Sequence, residues 1–96
     1  MRKSNTQPLG DVLREYVRSM NMEKKLKELD VVASWESVLG KTIAQYTRNI
    51  RLANKILYVE ISSSVVKNEL VMRRETIKLR LNEEAGEEMV DKIVFK

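Results

Sequence analysis

Apolar residues recur at helical spacing in the first 40 positions, alternate with polar ones in the middle of the chain, and return to helical spacing near its end. Leu9, Val12, Leu13, Tyr16, Val17 and Met20 follow an i, i+3/i+4, i+7 pattern. That spacing predicts a helix from about Pro8 to Met20, with Thr6 as its cap, Pro8 in its first turn and Asn21 at its end. A second helix is expected from Glu23 to Leu39, with Leu26, Leu29, Val32, Ala33 and Leu39 in one stripe and Gly40 as its stop. Trp35 lies at the margin of that stripe. It is expected to pack the helix end against a downstream β-hairpin, with an interface anchor as the alternative. Lys41 to Tyr46 reads as a short helical turn that points Ile43 and Ala44 inward.

The period then drops to two. Arg48-Asn49-Ile50-Arg51-Leu52 alternates, Ala53-Asn54-Lys55 turns, and Ile56 to Ile61 is rich in β-branched and aromatic residues. Strands this close predict an antiparallel hairpin. Leu57, Val59 and Ile61 should face a core, with Tyr58 and Glu60 on the opposite face. Ser62-Ser63-Ser64 supplies a hydroxyl cap for a long helix reaching Leu81 or Glu84. Gly86 ends an acidic stretch, and Lys92 to Phe95 reads as a third strand. The fold class is therefore α+β, in the order ααββαβ, with helices packed on one face of a small three-stranded sheet.

The long helix carries apolar residues on two sides. Val66, Leu70, Ile77 and Leu81 share one side, whereas Val65, Met72 and Leu79 lie almost opposite. Two-sided burial, with the sheet on one side and the first helix on the other, is the expectation, because a small domain needs its apolar positions inside. The alternative is a partner or self-association surface built on Val65, Met72 and Leu79.

Ninety-six residues make one domain, with 8–96 as the folded unit and 1–7, including Arg2 and Lys3, as a flexible basic N-terminus. The chain has no Cys and no His, which removes disulfides, thiolate nucleophiles, the commonest general base and the usual zinc ligands. Acidic pairs such as Asp11 with Glu15 read as solvated faces, and there is no Gly-rich phosphate loop. No catalytic residue, metal site or cofactor is expected. No apolar run approaches the roughly 20 residues of a membrane span, and neither a membrane partner nor a signal peptide is expected, which points to a cytoplasmic location.

Charge adds direction. Residues 41–80 carry nine Lys or Arg against three acidic residues, while residues 81–96 carry two against five. A basic middle suggests an anionic partner, nucleic acid first. Lys67, Arg74 and Lys78 fall within about 40° of one another on an ideal helix, with Arg73 and Arg80 on the other flank; such a row can track phosphates. Tyr58, with Arg48 or Arg51 and Lys55 nearby on an outer sheet face, offers a second candidate, a small stacking platform. A solvated surface is the alternative for the basic residues, and shielding of a sheet edge is the expected role of Tyr58.

The run Trp35-Glu36-Ser37-Val38-Leu39-Gly40, the pairs Ile43-Ala44 and Thr47-Arg48, the strand Leu57-Tyr58-Val59-Glu60-Ile61-Ser62-Ser63 and the pair Glu69-Leu70 resemble, in order and spacing, the DciA family. Leu81-Asn82 and Ile93-Val94-Phe95 continue the likeness. The resemblance implies a bacterial replication protein acting on the replicative helicase, with a fold similar to the type II KH module. The Gly-x-x-Gly loop by which KH domains clamp a nucleic-acid backbone is missing. Where relatives have a turn Gly, this chain has Ala53-Asn54-Lys55; Asn49, Tyr46 and Val66 also depart from the family's usual Pro, His and aromatic. The expected function is a non-enzymatic replication accessory that binds single-stranded or fork-like DNA through backbone charge and contacts the helicase. The alternative is a protein-interaction or homodimerisation module with no direct nucleic-acid role.

Overall fold

The computed structural model describes residues 9–96; the expected basic tail 1–7, the Thr6 cap and Pro8 lie outside the described residues. Leu9 to Leu39 form one helix of 31 residues, α1, rather than two helices divided at Asn21. The reason is local. Between Asp11 and Leu39 there is neither Gly nor Pro, and one Asn inside a helix costs only about 0.5 kcal/mol relative to Ala. Gly40, at φ +92°, ends the helix as expected, and its N–H donates to the Glu36 carbonyl (2.7 Å).

The buried face of α1 is also not the expected one. Val31, Trp35 and Val38 are inside, Val32 and Leu39 pack at the margin, and Leu26, Leu29 and Ala33 face out. Two overlapping stripes compete over residues 26–39, and the one containing the large indole wins the core. Trp35 is 3% exposed, so it packs the helix end inside the fold, as expected. Its Nε1–H donates to Thr47 Oγ1 (2.9 Å), which satisfies the buried indole, and its ring lies 6.5 Å from that of Phe95 at a 51° tilt.

A short helix, α2 (Lys41–Gln45), leads into β1 (Thr47–Ala53), which pairs antiparallel with β2 (Ile56–Ile61). The two-residue turn, Asn54 at φ 52° and Lys55 at φ 66°, is left-handed throughout, as a tight hairpin requires. The register is the expected one: Leu57, Val59 and Ile61 are buried, and Tyr58 and Glu60 sit on the other face. Near its start β1 has an irregularity between Thr47 and Asn49. There Thr47 turns in towards Trp35 while Arg48 reaches Glu60.

The expected long helix is interrupted. α3 (Ser64–Met72) and α4 (Arg74–Ala85) meet at Arg73, whose φ −106°, ψ 14° is not helical. Ser63 is the cap, its side-chain oxygen accepting from Val66 N–H (3.3 Å). Gly86, left-handed at φ 78°, closes α4. Asn82 then clamps the following loop: its Oδ1 accepts from the N–H groups of Met89 (3.0 Å) and Val90 (2.8 Å), and its amide donates to the Val90 carbonyl (2.9 Å). The clamp delivers β3 (Lys92–Phe95) alongside β2, parallel to it, to give a sheet in the order β1-β2-β3.

The core lies between one sheet face and the helices. It comprises Val31, Trp35 and Val38 from α1, Leu52, Leu57, Val59 and Ile61 from the hairpin, and Leu70, Ile77 and Leu81 from α3 and α4. Val90, Ile93 and Phe95 complete it. Helices on one face of a small mixed sheet are the α+β class read from the sequence.

Candidate nucleic-acid interface

Because side chains alternate along strands, burying Leu57, Val59 and Ile61 turns Tyr58 and Glu60 to the face that carries no helix among the described residues. Strand pairing sets their neighbours. Arg51 is opposite Tyr58 on β1, and Val94 is opposite it on β3. The Arg51 guanidinium lies over the Tyr58 ring, 4.2 Å from its centroid, a cation–π contact. One face of the phenol ring is thus already occupied, by a planar cation that can itself stack on a base. Lys92, paired with Ile56, adds a second exposed cation on this face. Arg48 also lies here, but its charge is partly met by Glu60 at 3.9 Å.

The other basic candidates are elsewhere. Lys55 stands at the hairpin tip, and Lys67, Arg74 and Lys78 are on α3 and α4, with Arg73 at their junction, across the core from the outer sheet face. The straight helix on which Lys67, Arg74 and Lys78 were expected to align is broken at Arg73. Lys78, with its side chain 22% exposed, pairs with Glu75 at 3.1 Å. It lines a groove with Lys55, Asn82, Glu88 and Asp91, where acidic groups offset the lysines. Arg51, Lys55, Lys67, Arg73 and Arg74 take part in no ion pair among the described residues. The sequence-level candidates therefore divide into an outer-sheet group of Arg48 and Arg51 around Tyr58, and a helical group of Lys67, Arg73 and Arg74.

Sequence reasoning missed Lys92 and Val94 as parts of the outer face. The parallel pairing of β3 with β2 places them there, and a four-residue strand gives no sign of its neighbour. It also missed Lys27, whose ammonium donates to Glu87 (3.2 Å) and lies 3.8 Å from Glu23, tying α1 to the loop after α4. The hydrogen bond to Glu87, with that carboxylate's charge, raises the Lys27 pKa above its usual 10.5.

The expected burial of Val65, Met72 and Leu79 does not occur: they are 78%, 78% and 63% exposed. α1 packs on α4 through the side that holds Ile77 and Leu81, so no described residue covers the opposite stripe. No helix among the described residues is long and apolar enough to cross a membrane.

These features define a small α+β domain with a helix-free, basic sheet face and no constellation of catalytic side chains among these residues. The family described as "Dna[CI] antecedent, DciA" matches residues 8–95, nearly the whole chain, and the protein belongs to that family. Membership gives it a role in DNA replication related to helicase loading. No curated protein matches the chain.

Proposed function

We propose that this protein is a non-enzymatic, cytoplasmic accessory of bacterial DNA replication that holds single-stranded or fork-like DNA by backbone charge and contacts the replicative helicase. Family membership supports the helicase connection. The observation that carries the nucleic-acid reading is the stacked Arg51–Tyr58 pair, with exposed Lys92, on a sheet face free of helices among the described residues. A base laid on that face meets a planar guanidinium and an aromatic edge, while the cations meet phosphates. Neither contact needs a particular base, so binding is sequence-tolerant and salt-sensitive.

The test is fluorescence anisotropy with labelled single- and double-stranded oligonucleotides across a salt series. Replacing Arg51 and Lys92 with Ala should weaken binding to all sequences. The log–log salt slope should fall by about one per lost phosphate contact. Unchanged affinity and slope would remove the outer face from the proposal; the triple Ala variant of Lys67, Arg73 and Arg74 then tests the helical group. The exposure of Val65, Met72 and Leu79 favours a second reading, a protein-docking module. On that reading neither basic variant changes DNA binding, and Met72→Asp abolishes co-sedimentation with purified replicative helicase.

A further inference from the structure

Among the described residues little packs against the N-terminal half of α1; towards its end Met20, Glu23 and Lys24 border a groove with Lys55, Glu87, Glu88 and Met89. From Gly10 to Leu26 every residue is exposed, and these residues extend the helix by about 25 Å past its last buried contacts. The molecule accordingly measures 65 × 23 × 19 Å. Yet this arm is not polar all round. Val12, Leu13, Tyr16, Val17 and Met20 form a stripe roughly 140° wide, and each is 52–64% exposed. The stripe is in phase with the core: Val17, Val31 and Val38 are separated by whole heptads, so the face buried further along is the face left open on the arm. Being one unbroken helix, the arm cannot turn back to cover itself.

We infer that the arm pairs with the arm of a second copy of this chain, antiparallel and centred on Tyr16. Charge argues for this occupant. Residues 9–20 contain Asp11, Arg14, Glu15 and Arg18, a net charge of zero, and all four project within about 100° of one another on the side away from the stripe. They are paired along the helix itself, Arg14 with Asp11 at 3.3 Å and Arg18 with Glu15 at 3.9 Å. Two such stretches meet with no like charges between them, whereas a polyanion finds no net positive charge on residues 9–20. Area is consistent: five half-exposed side chains give on the order of 500 Å² per copy, and about 1,000 Å² in total is the lower bound for a specific interface. Antiparallel pairing about Tyr16 superimposes the stripe from Val12 to Met20 on itself. It also keeps the two bodies, in chains of net charge +4, at opposite ends.

The arm's helicity is coupled to this pairing, because most helical stability in proteins comes from tertiary packing, of which the exposed arm has little in a single copy. Sedimentation equilibrium over roughly 10 µM to 1 mM, the range expected for so small an interface, should show monomer giving way to dimer. Ellipticity at 222 nm should deepen over the same range. Added salt should leave the dimer intact or tighten it, opposite to DNA binding. Tyr16→Glu should weaken dimerisation about tenfold or more without lowering the melting temperature of the body. With no Cys in the chain, Tyr16→Cys should form an intermolecular disulfide under mild oxidation and Val65→Cys should not. A parent chain that stays monomeric at 1 mM overturns the inference. A dimer unaffected by Tyr16→Glu, or one dissociated by Met72→Glu instead, also overturns it.

Discussion

Two side chains, one in the turn between β1 and β2 and one in the last turns of α4, are under identifiable local constraint. Lys55 holds φ 66°, where a side chain with a Cβ is disfavoured by roughly 1 kcal/mol and glycine is not. Lys55→Gly should therefore raise stability by about 1 kcal/mol, read as a melting temperature several degrees higher. If Lys55 also touches phosphate, DNA affinity falls in the same variant, so one substitution separates the residue's conformational cost from its use. Asn82 is the opposite case, a polar side chain that satisfies two backbone N–H groups and one carbonyl at once. Asn82→Ala leaves those groups unpartnered and should cost about 1–3 kcal/mol in urea unfolding. An Asn82→Ala variant as stable as the parent would show that water replaces the clamp. The pair Leu81-Asn82 was legible in the sequence as part of a family pattern, but the clamp was not. Its partners, Met89 and Val90, become neighbours only once Gly86 has turned the chain.

At the scale of elements, the helices differ most from their sequence-level description. Periodicity located all the helical segments, yet it divided α1 at a residue that does not break helices and joined α3 to α4 through Arg73, which does interrupt them. The exposed stripe on α3 and α4 makes a definite expectation. Met72→Asp places its charge in solvent, so thermal stability should change by no more than about 0.5 kcal/mol. A loss of several kcal/mol would mean the stripe is covered in solution. The tie between α1 and the loop after α4 can be followed by pH. Lys27 is raised above 10.5 in the folded state, so its contribution is fully present below pH 10.5 and is lost as pH rises through the higher folded-state value. The parent should therefore lose stability in that alkaline window more steeply than Glu87→Gln, as measured by chemical denaturation at successive pH values. The effect is small, because both partners are substantially exposed.

For the whole molecule, the sheet separates two kinds of surface. One face builds the core with the helices; the other presents Arg51, Tyr58 and Lys92, while apolar stripes on the arm and on α3 and α4 point elsewhere. If DNA and a protein partner use these separate surfaces, raising salt should release the first and spare the second. A titration of DNA binding and self-association in the same buffers checks this; parallel loss of both would mean that they share one charged surface.

Local chemistry determined much of this in advance. Alternation set the face of β2, since a one-residue slip would invert every side chain and expose Leu57 and Val59. Gly40, Gly86 and the serine cap set the element ends, because left-handed backbone and free N–H groups are satisfied by neighbours in sequence. The basic middle segment was likewise visible as charge. What only the tertiary structure decided depends on partners distant in sequence. The α1 face that is buried is the one that meets the hairpin and Phe95 through Trp35. Lys92 joins Tyr58's face because β3 returns parallel to β2 after two helices. Val65, Met72 and Leu79 stay outside because α1 reaches only the other side of α4 and runs on past the body. A period fixes which residues of one element share a face, but the packing of distant elements fixes which face is covered.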